Sequence, residues 1–201
     1  MPARSLIAIG ASAGGVESLQ RFVSVLPSGL DAAVAVVLHV QPRAKSVLAH
    51  ILERAGVLIA TEAEDGEPIE PSRIYTARPG YQLLVEGGRF RVVQGGAVDA
   101  MRPAVDPLFR SVAEFYGPRA IGVVLSGSLA DGTAGLVAIK RHGGRAMVED
   151  PERASHPGMP ASAVANVDVD VVGSCEELAQ QAVDLVDAWH AEDSPPALDL
   201  R

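Results

Sequence analysis

The sequence predicts an α/β fold: a doubly wound, mostly parallel sheet with flanking helices and an antiparallel hairpin. Three observations predict it. Continuous apolar runs of strand length, LIAIG (6–10), AVAVVLHV (33–40) and AIGVVLSG (120–127), read as strands buried on both faces. Between such runs the apolar positions change to helical spacing, as in Val16, Leu19, Phe22, Val23 and Leu26. Gly87-Gly88 joins two short strand-like stretches, a signal for a tight hairpin. Strand, helix, strand, helix is the opening of a parallel sheet, because parallel neighbours need crossover connections.

Taken in order, LIAIG is the first core strand, and the helix striped by Val16 to Leu26 stops at Pro27 and Gly29. The valine-rich second strand is broken by Pro42. Val47, Leu48, Ile51, Leu52 and Ala55 then mark a second helix, ended by Gly56. SRIYTA (72–77), YQLLVE (81–86) and RFRVV (89–93) read as short strands, the last two forming the hairpin that interrupts the parallel pattern. Asp106 before Pro107 resembles an N-cap followed by proline in the first helical position, with Leu108, Val112 and Phe115 following as a helix. After the third buried strand comes the glycine-punctuated SGSLADGTAG, then a helix over about 133–142 with Gly143 as its stop. RAMVE (145–149) and VDVDVV (167–172) complete the sheet. Ser174 and Glu177 form a capping box for the last helix, striped by Leu178, Ala182, Leu185, Val186 and Trp189. Residues 1–190 are expected to form one domain and 191–201, polar and proline-rich, a flexible tail.

Composition narrows the class. A net charge of −8 argues against a nucleic-acid surface, which needs clustered Lys and Arg. The single cysteine, Cys175, cannot form an internal disulfide and points to a reducing compartment. No apolar run approaches the ~18 residues of a membrane span, and the N-terminal apolar stretch runs into glycines rather than a cleavage site. The expectation is a soluble, cytoplasmic protein with no membrane insertion and no nucleic-acid partner.

In an open parallel sheet, ligands bind beyond the carboxyl ends of the strands. There the first strand delivers Ser12, the second His39 and the third late strand Asp131. A serine hydroxyl needs a base to remove its proton as it attacks, imidazole suits that task, and a carboxylate fixes the imidazole tautomer. Gly10-Ala11-Ser12-Ala13-Gly14 also fits G-x-S-x-G, although the chain order Ser, His, Asp differs from that of the common α/β-hydrolases. The rival reading is a phosphate cradle. It fits poorly, since the glycine spacing is not G-x-G-x-x-G, His39 stands where a ribose-binding acid belongs, and no lysine follows the glycines. Glu62, Glu64, Asp65 and Glu67 match no metal spacing and read as a solvated loop, with no metal and no cofactor expected. Cys175 reads as structural. His50, His142 and His190 read as helix-surface or terminal residues.

Six segments carry a resemblance in one order: IAIGASAGGVESLQRFVSVLP, VVLHVQPRAKSVLAHIL, AEDGEPIEPSRIYTARPG, VDPLFRSVAEF, GVVLSGSLADGTAGL and HPGMPASAV. From about Leu6 to Leu185 the chain resembles the catalytic domain of the CheB chemotaxis protein-glutamate methylesterases. The resemblance implies a doubly wound α/β domain that removes methyl groups from glutamate γ-methyl esters on the helical signalling domains of chemoreceptors, releasing methanol. Some members also deamidate receptor glutamines. By motif, Ser12 would be the nucleophile, His39 the base and Asp131 the orienting carboxylate. The backbone N–H of Ser128 matches an oxyanion donor, with Ala13 and Met159 as further oxyanion or substrate-binding candidates; the 156–160 loop lies near the site in the family, which makes His156 an outside candidate for substrate contact. Ala13 stands where the family often has Ser or Thr, and SGSLADG where it often has TGMGNDG. No receiver segment precedes the first strand, so a stand-alone catalytic domain is expected, with a separate receiver or methyltransferase protein as a candidate partner. The alternative is a catalytically weak scaffold binding a chemosensory partner through the same pocket.

Overall fold

The chain is described by a computed structural model over residues 3–41, 45–94 and 103–193. Strand β1 (Leu6–Ala11) is buried at every position, and its alternating side chains divide between two cores. Leu6 and Ala8 face one; Ile7, Ile9 and Ala11 face the other. Strand β2 (Ala33–Leu38) repeats the pattern, with Ala33, Ala35 and Val37 opposite Val34, Val36 and Leu38.

The remaining elements are α1 (Gly15–Val23), α2 (Leu48–Ala55), β3 (Ile59–Glu62), β4 (Arg73–Thr76), β5 (Tyr81–Glu86), β6 (Arg89–Gln94), α3 (Val105–Tyr116), β7 (Ala120–Val124), α4 (Thr133–Arg141), β8 (Arg145–Glu149), α5 (Gly158–Asn166), β9 (Val171–Gly173) and α6 (Cys175–Asp193). Seven strands form one parallel sheet in the order β3-β4-β2-β1-β7-β8-β9. Helices α1, α2 and α6 cover one face through Leu19, Phe22, Leu52 and Leu178. Helices α3, α4 and α5 and the hairpin cover the other through Leu108, Phe109, Leu136, Met159 and Phe90. Fully burying a side chain such as Phe22 stabilises the fold by roughly 1.5–3 kcal/mol.

The antiparallel hairpin is β5–β6. Its two-residue turn has Gly87 at φ 57° and Gly88 at φ 75°, the left-handed pair that matches strand twist. Tyr75 of β4 packs on Phe90 of β6 at 4.7 Å between ring centres, holding the hairpin to the domain.

Several expectations need correction. The stretch IATE forms an edge strand, β3, that its sequence conceals, because only Ala60 is buried. SRIYTA, expected as a short strand of unspecified partner, joins the parallel sheet as β4. Only the last two residues of VDVDVV are strand, in β9: the Asp170 carboxylate instead accepts the Ala146 N–H at 2.8 Å and pairs with Lys140 at 2.7 Å. Residues 158–166, read as a loop at their start, form α5. Helix α3 begins at Val105, so Asp106 lies inside its first turn and is not its N-cap. The capping box of α6 is present, with Ser174 N–H to Glu177 Oε2 at 2.7 Å and Glu177 N–H to Ser174 Oγ at 3.3 Å. Helix α6 continues to Asp193; Pro42 and the rest of the expected tail lie outside the described residues. Among the described residues, no helix is long and apolar enough to cross a membrane.

Candidate active site

The sheet changes direction of growth at β1, whose neighbours β2 and β7 lead to opposite halves. A crevice opens at such a switch point beyond the carboxyl ends of the strands, and the loops after β1, β2 and β7 meet there. In register, Ala11 faces Leu38, and the His39 N–H donates to Ala11 C=O at 3.0 Å. Ser12 and His39 therefore leave adjacent strand ends side by side. On the other flank, the Ser12 N–H donates to Ser126 C=O at 2.9 Å, tying the nucleophile candidate to the end of β7.

His39 Nε2 lies 2.7 Å from Asp131 Oδ2, with only 3% of the imidazole exposed. Asp131 Oδ2 also accepts the Val105 N–H at 2.7 Å, and Oδ1 accepts the N–H groups of Asp106 at 3.0 Å and Gly132 at 2.9 Å. Burial pushes this carboxyl upward, but the His39 bond and the Val105 and Asp106 N–H groups outweigh it and hold the pKa below the ordinary aspartate value. Asp131 thus stays ionised wherever an imidazole titrates.

Asp131 caps the start of α3, and Asp106 returns the arrangement: its Oδ1 accepts Gly132 N–H at 3.0 Å and Gly135 N–H at 2.7 Å at the start of α4. Two carboxylates thus cap each other's helices. Burial, opposed by those N–H bonds and reinforced by the nearby Asp131 charge, raises the Asp106 pKa.

The second imidazole nitrogen, Nδ1, is buried and has no hydrogen-bond partner among the described residues, Ser12 Oγ included. With Nε2 on the carboxylate, Nδ1 is the nitrogen left to take a proton.

Two N–H groups beside Ser12 are oriented by their neighbours. Ser12 C=O accepts the Gly15 N–H at 2.9 Å, and Gly127 C=O accepts the Met159 N–H at 2.8 Å. In a planar trans peptide the next N–H points the opposite way, so the Ala13 and Ser128 N–H groups turn from these bonds and have no acceptor among the described residues. They can face a developing oxyanion. Met159 is fully buried, so its side chain supports the loop from behind instead of lining the surface. A Cβ on Gly127 would overlap Met159 Sδ and stand 2.9 Å from Ser12 Cβ, so no other residue fits between them. Leu129, beside Ser128, is 75% exposed and holds φ 67°, a conformation that disfavours a leucine.

The CheB methylesterase family model matches residues 7–182 of the chain. This chain belongs to the CheB methylesterase family. A Leptospira interrogans relative is 37% identical over 175 residues, which cover 87% of this chain and 91% of that one. A Geobacter sulfurreducens relative named protein-glutamate methylesterase/protein-glutamine glutaminase 3 is 36% identical over 89% of this chain but only 49% of its own length. The crystal structure of the Thermotoga maritima CheB methylesterase catalytic domain matches with a TM-score of 0.85 and 32% identity, covering 90% of this chain and 98% of that domain. Membership places the chain among carboxylic ester hydrolases.

Within this CheB-family domain the other candidates separate cleanly. His156 is exposed at the rim, with Nδ1 3.0 Å from where a Cβ on Gly14 would stand. His142 bonds Ala138 C=O at the end of α4 at 2.9 Å, His190 pairs with Asp31 at 2.7 Å, and His50 is exposed on α2. The acidic loop is occupied with its own surroundings. Asp65 pairs with Arg91 at 2.9 Å, Glu62 with Arg78 at 3.6 Å, and Glu67 accepts the Glu64 N–H at 2.6 Å. Cys175 is buried; desolvation, then the neighbouring Glu149, push its thiol up to about 12.

Sequence reasoning missed three residues: Asp106 as the partner of Asp131, Ser126 behind Ser12, and the buried Glu149. The signal for Glu149 was its place at the end of RAMVE, where a strand buried on both faces carries an acid.

Proposed function

We propose that the chain hydrolyses glutamate γ-methyl esters on the cytoplasmic helical region of chemoreceptors. Ser12 Oγ attacks the ester carbonyl while His39 Nδ1 takes the hydroxyl proton. Asp131, held ionised, stabilises the imidazolium through Nε2; relative to the familiar serine-protease template, the two nitrogens exchange roles. The carbonyl oxygen gains its charge facing the Ala13 and Ser128 N–H groups. Collapse breaks the C–O bond to methoxide, which leaves as methanol with the proton from Nδ1. Water, activated by the same nitrogen, then attacks the acyl-enzyme and returns glutamate and the free Ser12 hydroxyl. A glutamine amide would follow the same course and release ammonia.

The observation that carries this reading is the 2.7 Å imidazole–carboxylate pair at the strand end adjoining Ser12. Family membership and the relative named for methylesterase and glutaminase activity support it. The reaction requires no metal or cofactor. Its setting is the cytoplasm, the catalytic unit spans 1–190, and a separate receiver or methyltransferase protein is the candidate regulator. The test is methanol release from methyl-labelled receptors. The wild-type chain turns over and Ser12→Ala does not; equal release by both would overturn the mechanism.

The open Nδ1 and the family departures at Ala13, Ser128 and Ala130 favour a second reading, a scaffold that binds the receptor without hydrolysis. Saturable receptor binding with no methanol from the wild-type chain would select it.

A further inference from the structure

Glu149 ends β8 with 2% exposure, and no step of the ester reaction uses it. A buried carboxylate is costly unless its oxygens are bonded, and here both are. Oε2 accepts the Ser126 N–H at 2.7 Å, and Oε1 accepts Ser18 Oγ on α1 at 3.3 Å. These partners bracket the Ser12 turn, Ser126 from the end of β7 and Ser18 from the helix that follows it.

Ser126 passes the hold onward. Its C=O accepts the Ser12 N–H at 2.9 Å, and its Oγ donates to Ala13 C=O at 2.8 Å while accepting the His156 N–H at 3.0 Å. Fixing the Ala13 carbonyl fixes the peptide that follows the nucleophile, and fixing Ser126 fixes the strand end that leads to Gly127 and Ser128. We infer that Glu149 is a positioning residue for Ser12: through Ser126 and Ser18 it sets the nucleophile turn and both candidate oxyanion donors. Its effect on turnover rests on the ester-hydrolase reading above.

The test uses the full chain with Glu149→Gln, Glu149→Ala and Ser126→Ala, on methylated receptor and with a fluorophosphonate probe that labels an activated serine. Gln keeps an acceptor for Ser126 and a donor for Ser18, so kcat stays within about threefold. Ala lowers kcat about 10- to 100-fold, the range for small misplacements of reacting groups, with KM within about twofold and labelling slowed in step. Ser126→Ala, which keeps the backbone N–H but removes the hydroxyl links, falls between them. Amide hydrogen exchange at Ser12 and Ser126 quickens in Glu149→Ala but not in Glu149→Gln. Wild-type kcat in Glu149→Ala overturns the inference, as does a loss that merely tracks the unfolded fraction without rescue by Gln. A wild-type chain that neither releases methanol nor takes the probe brings down the site reading instead. Hydrogen exchange then still decides the hold on Ser12, and unchanged exchange in Glu149→Ala overturns it.

Discussion

On one flank of His39, Asp131 holds Nε2 at 2.7 Å and is itself held by the N–H groups of Val105, Asp106 and Gly132. On the other flank, Nδ1 is buried with no partner among the described residues, and Ser12 stands on the next strand end without a bond to it. The carboxylate side is assembled without substrate, so on the proposed mechanism its electrostatic work needs no reorganisation at the moment of reaction. The hydroxyl side is not bonded in this structure, and such contacts are often long in the unliganded state and tighten with substrate.

Substitutions on each flank sharpen this contrast. Ser12→Ala removes the open side and should lower kcat about 10⁴-fold or more, with the fold intact, as read by methanol release and circular dichroism. Asp131→Asn keeps the shape of the closed side but lets the imidazole take the wrong tautomer. A loss of about 10³- to 10⁴-fold in kcat with little change in KM is expected, and a loss under tenfold would mean the closed side is not catalytic. Asp106→Ala leaves the Gly132 and Gly135 N–H groups uncapped and should cost about 1–2 kcal/mol in denaturant unfolding. It lowers kcat only through movement of Asp131.

Acid should act through the same flank. The Asp131 pKa is depressed in the fold, so its stabilisation is complete above the unfolded value of about 3.9 and is lost as pH falls through the folded value. The stability gap between wild type and Asp131→Asn should therefore narrow below about pH 4; a constant gap would mean Asp131 contributes packing alone. The smallest effect concerns Cys175, whose buried thiol is pushed up to about 12. Alkylation by iodoacetamide at neutral pH should be slow in the native chain and rapid after unfolding.

How much of this was legible in the sequence follows from how each feature is encoded. Buried strands are written as apolar runs, and Ser12, His39 and Asp131 fall where such runs stop, so the sheet centre and the three side chains could be read directly. The six ordered segments made the family resemblance legible too. Elements that bury little were not legible: β3 has one buried residue in four, and α5 opens on Gly-Met-Pro, a poor helical signature. Asp106 was seen as a cap but assigned to its own helix, because sequence spacing cannot show that a carboxylate reaches across to Gly132, 26 positions away. Met159 was placed near the site, yet its burial behind Gly127 depends on a packing contact that no local pattern records.

The exchange of caps between Asp106 and Asp131 bears on how sequence drift should be read across the family. Asp131 anchors a helix as well as an imidazole, so a descendant that abandoned hydrolysis would still be selected to keep it. His39 fastens no helix through its ring, and its replacement would be tolerated once turnover ceased to matter. On the mechanism proposed above, Asp131 is a mark of architecture as well as of chemistry in this chain, and His39 is the better witness to chemistry.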